Sequence, residues 1–189
     1  MSIIWLSRLM IPEEVSRSLY DSLKKALESR IIPVLIKNDF RQFPHPKFHP
    51  KPDRRERAYN PHGIFRRRSG FRDDLIEIVY QDRKYPQFHI YFGVAPHHGV
   101  RVRGVHFLPE NMGVSESPVS YSLSSSPRSF QPFAVIWPLA GEERIPRIVG
   151  EAEKVLPQVF DWFDHGLVGP NLFGGSEPTV SEIVNKRAG

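Results

Sequence analysis

The chain contains no cysteine among its 189 residues. Disulfides, thiolate metal sites and thiol nucleophiles are therefore excluded, and a reducing compartment such as the cytoplasm is favoured. The chain also has no apolar run near the roughly 20 residues that a membrane-spanning helix requires. The partly apolar segment 1–11 is interrupted by Arg8 and has no basic start, so we interpret it as structural and expect neither a signal peptide nor a membrane partner.

Motifs that fix a reaction or a cofactor are also missing. The serine run 124–126 lacks the context of a nucleophile elbow, and the glycines at 174–175 are too short a signal for a phosphate loop. Asp161, Asp164 and His165 fit the polar end of a predicted helix better than an acid–base pair. We therefore expect no cofactor, and the sequence favours a non-enzyme without deciding the matter.

What the chain does have is a local concentration of positive charge. The formal net charge is +5, and the segment 41–72 alone contains ten Lys or Arg against two acidic residues. The remainder of the chain is therefore slightly acidic. Local basicity of this kind is what an anionic partner, such as a nucleic acid or another polyanion, would contact.

The hydrophobic pattern predicts amphipathic helices near both ends of the chain. Apolar residues recur every four positions from Val15 to Leu27, directly after a Pro-Glu-Glu sequence that suits a helix start. Pro33 is expected to kink or interrupt this helix. A second stripe with helical period runs over 142–165, and Pro157 weakens it locally.

Between the helices the pattern changes to alternation with period two, which is typical of strands. Strands are predicted over 64–68, 75–81, 88–95, 100–107 and 133–137. The short polar connections favour hairpins, so we predict an α+β fold: an antiparallel sheet of about four to five strands with the N-terminal and C-terminal amphipathic helices packed on one face. The other face, with His89, Tyr91 and Arg101 or Arg103, would be open to solvent or to a partner.

We expect a single domain over residues 1–189. It would carry a basic, Pro/His-rich loop over 41–63, a Ser/Pro-rich loop over 108–128 and a polar C-terminal tail over 167–189. Within the tail, the capping-box spacing at 179–182 makes a last short helix plausible.

The order of several short motifs resembles a known family. An Ile-Pro-x-Leu helix end at 32–35 is followed by Asp-Phe-Arg at 39–41, Phe-Arg-Arg at 65–67, Ile-x-Ile-x-x-Gln at 76–81, Phe-Gly-Val at 92–94 and Trp-Phe at 162–163. This order resembles the bacterial proteins grouped as domain of unknown function 4304. The resemblance implies an α+β fold and a bacterial origin and brings no activity with it. A His/Pro/Arg insertion between Phe40 and Ile64 departs from the family's pattern.

The first candidate site is the basic region, which could bind nucleic acid or another anion. Its phosphate-binding candidates are Arg54, Arg55, Arg57, Arg66, Arg67, Arg68 and Arg72. Tyr59, Phe65 and Phe71 are available for stacking on bases. The alternative explanation is a solvated charged surface, with Arg66 and Arg68 on one face of an exposed strand and Arg67 on the other.

The second candidate site is a metal site built from His45, His49 and His62 with a nearby acidic residue. The prolines around His45 and His49 argue against a helix. The four-residue spacing of these two histidines therefore does not place them side by side as a pair of metal ligands. Surface histidines in a loop explain the pattern as well.

Three functions remain open at this point. A non-enzymatic binding or interaction module with a protein partner comes first, because the catalytic constellation is missing and the second sheet face looks mixed polar and aromatic. A nucleic-acid-binding protein that uses the 41–72 region comes second. A metal-dependent hydrolase comes third.

Overall fold

The computed structural model describes most of the chain, over residues 13–44, 58–81, 87–134 and 142–174. The segment 1–11 and the helix predicted at 179–182 lie outside these ranges. The middle of the basic loop, 45–57, lies outside them too.

The N-terminal helix, α1, spans Glu13–Lys37 and continues through Pro33, which is exposed. Its end is a Schellman motif. The Phe40 N–H donates to the Leu35 carbonyl at 3.1 Å, and the Asp39 N–H donates to the Ile36 carbonyl at 3.1 Å. Asp39 takes the left-handed position with φ of 66°, and the buried side chains of Phe40 and Leu35 belong to the same apolar core.

The predicted C-terminal helix is two helices in the structure. A 3₁₀ turn at Glu142–Arg144 leads into α2 at Ile145–Val155, and α3 follows at Pro157–His165. Pro157 opens α3 because proline lacks the N–H that a helix interior needs. Gly166, with φ of 71°, ends α3 as a left-handed cap.

Ten strands lie within the described residues: β1 Arg41–Phe43, β2 Ala58–Tyr59, β3 Ile64–Ser69, β4 Arg72–Gln81, β5 Gln87–Pro96, β6 Val100–Val102, β7 Val105–Phe107, β8 Ser120–Leu123, β9 Phe133–Ala134 and β10 Leu172–Gly174. Eight of them form one antiparallel sheet in the order β1-β3-β4-β5-β8-β10, with β2 beside β4 and β9 beside β5. The α+β fold class is thus confirmed, and the sheet has more strands than the four to five predicted.

Several boundaries differ from the prediction. The single strand predicted over 100–107 is wrong, because Arg103 and Gly104, with φ of 48° and 84°, turn the chain into the separate hairpin β6–β7. The irregular loop predicted over 108–128 contains β8, which pairs with β5. Tyr121 and Leu123 of β8 enter the core while serines alternate with them, so the serine content concealed a strand.

Other short strands lie in segments predicted to be loop or tail. β1 and β2 fall within 41–63, and β10 falls within 167–189. Strands of two or three residues show too little alternation to be recognised in a sequence. β9 matches the start of the strand predicted over 133–137, of which residues 135–137 lie outside the described ranges.

All three helices pack on one face of the main sheet, as predicted. Leu27 of α1, Phe160 of α3 and Phe92 of β5 belong to one continuous buried core. α1 and α2 are also joined by Arg30, whose Nε donates to the Glu153 carboxylate at 3.0 Å and which also donates to the carbonyl of Pro146 at 2.8 Å.

The other face of the sheet is covered in part, which corrects the prediction of an open face. The segment 108–118 crosses it with two 3₁₀ turns, Pro109–Asn111 and Val114–Glu116. Met112 and Val114 of this segment bury a second core together with Ile64, Leu75 and Ala95. His89 on this face is buried as well, whereas Arg101 and Arg103 belong to the β6–β7 hairpin.

None of the described helices is both long enough and apolar enough to cross a membrane.

The Schellman motif at the end of α1 yields a stability prediction. Replacing Asp39, an exposed residue in the left-handed conformation, by glycine removes a steric cost of about 1 kcal/mol. We expect Asp39→Gly to raise the free energy of unfolding by about 0.5–1 kcal/mol in urea denaturation. The matched control is Asp21→Gly, an exposed position inside α1, which gives no gain. Equal effects of the two substitutions would contradict this account of the helix end.

Candidate functional site

The arginine run of β3 is folded inward by the β3–β4 hairpin. A two-residue loop, Gly70-Phe71 with Gly70 at φ of 60°, connects the strands and sets Arg67 opposite Asp74. The Asp74 side chain is fully buried, and it accepts from Arg67 Nη2 at 2.8 Å and from Arg72 Nε at 2.9 Å. Burial raises the pKa of Asp74, and the charges of Arg72 and Arg67 oppose that rise.

The same two arginines attach α3 to the sheet. Arg67 also pairs with Asp164 at 2.7 Å, and Arg72 donates to the carbonyl of Phe163 at 2.7 Å. The Arg67 guanidinium lies 5.0 Å from the ring centre of Phe40 and 5.6 Å from that of Phe163, within cation–π range. Arg67 and Arg72 therefore act as structural ties between strand and helix.

Arg66 points to the opposite face and holds the segment that covers the second core. It donates to the carbonyls of Pro109 at 2.6 Å and Glu110 at 3.3 Å, and also to that of Met112. Asp73 lies 3.8 Å from it. Burial lowers the pKa of Arg66, and neighbouring carboxylates oppose that effect. Glu77 adds a second tie, because its carboxylate accepts from the N–H of Val114 at 3.0 Å.

The predicted nucleic-acid site is therefore divided. Among its described members, Arg66, Arg67 and Arg72 are engaged in internal contacts, and Arg68 alone is exposed. Arg54, Arg55 and Arg57 lie outside the described ranges. Of the candidate stacking rings, Phe65 is fully buried and Phe71 is 89% exposed. The hypothesis of nucleic-acid binding stays a prediction, and of its described candidates Arg68 and Phe71 are the exposed ones.

The predicted metal ligands are not brought together in the part of the chain that the structure describes. His45 and His49 lie outside it, and His62 is buried with Nε2 at 2.8 Å from the Tyr80 hydroxyl. No group of three His, Asp or Glu side chains among the described residues could hold a metal ion. In the same turn, the Asn60 side chain donates to the Gly63 carbonyl at 2.8 Å, so this amide is also bound within the protein.

A cleft of about 420 Å³ lies beside His62, between the end of β1 and the turn 60–63. Gln42 lines it and donates to the carbonyl of His62 at 2.8 Å, so the polar groups of the wall largely satisfy one another. No reacting group stands out among the residues that line the cleft.

The acidic helix end and the serine run have structural roles. Asp161 and His165 are exposed, while Asp164 binds Arg67. The Ser124 hydroxyl donates to the carbonyl of Ser129 at 3.0 Å and accepts from the backbone of the loop, which fixes the loop after β8.

One end of the sheet combines exposed apolar and basic side chains. The β3–β4 turn lies beside the end of β5, since the His97 N–H donates to the Phe71 carbonyl at 3.0 Å. The hairpin β6–β7, residues 100–107, follows directly, and we call it the arm. Leu108 continues from it. We define the tip surface by six exposed residues of these segments: Arg68, Phe71, Arg101, Arg103, Val105 and Leu108.

The tip surface has three arginines and no acidic residue, while Asp73 stands opposite Arg68 in the β3–β4 register and the exposed Glu110 follows two residues after Leu108. Segments 68–72 and 97–108 contain no acidic residue. Within the described residues, no ion pair or side-chain hydrogen bond engages Arg68, Arg101 or Arg103. Sequence reasoning missed this surface because it assigned the two arm arginines to the main sheet. The Arg103-Gly104 pair between alternating residues was the turn signal that could have revealed it.

No protein-family model, curated protein or solved structure matches the chain. The resemblance to the domain of unknown function 4304 therefore stays a prediction, and the function has to be argued from the chain's own geometry.

Arg66 and Arg68, two positions apart on the same strand face, give a matched test of structural and surface arginines. Arg66→Met removes hydrogen bonds to three carbonyls, of which that of Pro109 keeps the Met112 N–H as a partner. We expect the free energy of unfolding to fall by about 2–4 kcal/mol. Arg68→Met should stay within about 0.5 kcal/mol of the wild type. Urea denaturation measures both. Similar values for the two variants would contradict the assignment of Arg66.

The buried histidines predict a loss of stability in mild acid. Burial lowers the pKa of His62 and of His89 below the ordinary value of 6.5. The unfolded chain therefore takes up protons first as the pH falls below 6.5, and the free energy of unfolding decreases until the folded-state pKa values are reached. His62→Gln should flatten this dependence, and adding His89→Gln should flatten it further, in denaturation series from pH 7.5 to about pH 5. An unchanged slope in the double variant would rule out this origin.

Proposed function

We propose that the chain is a non-enzymatic interaction module that binds another protein through the tip surface. The observation that carries the proposal is Phe71, a large aromatic side chain held 89% exposed at the tip of a hairpin. The cost of leaving such a ring in water is recovered when a partner buries it, at about 25 cal/mol for each Å² of apolar surface.

The chemistry around Phe71 is that of a protein interface. Val105 is 55% exposed and Leu108 is 46% exposed, so the arm and the residue after it add aliphatic side chains to the tip surface. Aromatic and arginine side chains are enriched at the energetic centres of protein interfaces. The basic surroundings favour a partner with an acidic surface, since complementary charge accelerates association and excludes wrong partners.

A rigid base supports this surface. The β3–β4 hairpin is tied to α3 by Arg67 and Arg72, and the segment after the arm is held by Arg66. Segments fixed in this way lose little conformational entropy on binding, which favours affinity.

Nucleic-acid binding is the second candidate, and one observation favours it: Arg68 and Phe71 are exposed three residues apart, so a phosphate and a base could be contacted together. The aliphatic Val105 and Leu108 offer no ring for stacking, and for this reason we rank a protein partner first. The hydrolase hypothesis ranks last, because the Nε2 atom of His62 already forms a hydrogen bond with the Tyr80 hydroxyl.

The test is site-specific photo-crosslinking in cells of the source organism. A photoreactive phenylalanine analogue at position 71 should form a crosslink to one reproducible protein. The matched control carries the analogue at Phe130, which is also partly exposed and lies near His89, toward the opposite end of β5.

With the crosslinked protein purified, the double variant Phe71→Ser, Val105→Ser should bind it at least about tenfold more weakly, while Phe130→Ser binds as the wild type does. Crosslinks at position 71 to nucleic acid alone, or equal loss with Phe130→Ser, would contradict the proposal.

A further inference from the structure

The backbone of the arm presents outward hydrogen-bonding groups on both edges. Its loop has two residues, so Val102 and Val105 form the hydrogen-bonded pair that flanks the loop. Hydrogen-bonded and non-hydrogen-bonded pairs alternate along an antiparallel ladder. The next pair, Arg101 and His106, therefore directs its N–H and C=O groups away from the hairpin. Within the described part of the chain the arm is a two-stranded sheet, and no backbone hydrogen bond reaches these groups.

The two faces of the arm differ in chemistry. At its base, the pair Val100 and Phe107 packs against the second core. Val105 lies farther out on the same face, because side chains alternate along a strand, and there the apolar face becomes exposed. Arg101 and His106 lie opposite each other on the other face, and both are exposed. The arm is thus apolar on one side, basic on the other and unpaired at its edges.

We propose that the arm binds an extended acidic segment of a partner protein by strand addition. This inference rests on the interaction function proposed above and specifies its partner. The outward groups of Arg101 or His106 would supply main-chain hydrogen bonds to the added strand. An acidic residue directly across from Arg101 would gain a favourable cross-strand pair, and the residues beside it would extend the apolar face next to Val102, the cross-strand partner of Val105.

At the edge of β6, the charge of the arm argues against a second copy of the chain as the added strand. Symmetric pairing through the edge of β6 would set Arg101 against Arg101 of the second copy, and like charges directly opposite each other are destabilising. The phosphates of a nucleic acid can accept from the outward N–H groups, but a nucleic acid has no row of alternating N–H and C=O groups that would match a strand edge.

The experiment is selection from a random peptide display library on the purified full chain, with counter-selection on Arg101→Glu. Selected sequences should alternate acidic and apolar residues. A synthetic peptide of the selected sequence should bind the wild type at least about tenfold more tightly than Arg101→Glu. Arg128→Glu, a charge reversal at an exposed arginine in the loop after β8, should leave the affinity unchanged.

A second reagent tests strand addition itself. The same peptide with N-methyl groups on alternate amides, placed to block the bonding edge, should bind at least about tenfold more weakly, while methylation of the other set has little effect. Hydrogen exchange at Arg101 or His106 should slow on binding of the unmodified peptide.

Several results would overturn the inference. These are enrichment of basic or non-alternating sequences, equal binding of both methylated peptides, dimerisation through the arm in sedimentation equilibrium, or oligothymidylate binding that Arg101→Glu abolishes. If crosslinking at position 71 still identifies a protein partner, any of these outcomes removes strand addition and leaves the interaction function standing. If that crosslinking fails as well, the interaction function falls with it.

Discussion

The buried carboxylate of Asp74 is the contact on which this end of the molecule depends. It lies without solvent exposure between Arg67 and Arg72, and these two side chains continue to Asp164 and to the carbonyl of Phe163. A buried carboxylate needs such partners, because an unpaired charge in the interior is strongly unfavourable. These contacts join the hairpin β3–β4 to the end of α3 and thereby hold in place the hairpin that carries Arg68 and Phe71 of the tip surface.

Because of these contacts, most of the arginines in segment 66–72 serve the interior of the protein. An arginine run in a sequence indicates a polyanion site when its side chains reach solvent, yet much of the charge over 66–72 neutralises Asp73, Asp74 and Asp164 or satisfies backbone carbonyls. The basic groups that remain outside on this end, Arg68 and the two arginines of the arm, stand among exposed apolar residues. Positive charge beside exposed aromatic and aliphatic side chains fits an acidic protein surface better than a phosphate backbone.

The sequence predicted the elements with many regularly spaced residues. Periodicity predicted the apolar stripe from Leu19 to Leu27, the strands β3, β4 and β5, and the shared face of the helices. It did not predict β8, because Ser120 and Ser122 alternate with Tyr121 and Leu123 in a serine-rich segment. It did not predict the arm either, because the alternation of residue types continues through the turn of the arm. The two-residue loop Gly70-Phe71 fixes the register of β3 against β4, which places Arg67 opposite Asp74 and Arg68 opposite Asp73. Whether those pairs are buried depends on α3, which lies about 90 residues farther along the chain, and no local pattern contains that information.

Arginine modification by phenylglyoxal, followed by peptide mass spectrometry, tests the inward use of the arginine run most directly. In the native protein, Arg68, Arg101 and Arg103 should react rapidly, whereas Arg66, Arg67 and Arg72 should react only after denaturation, since their side chains are largely buried. Equal rates for all six arginines in the native protein would contradict the account.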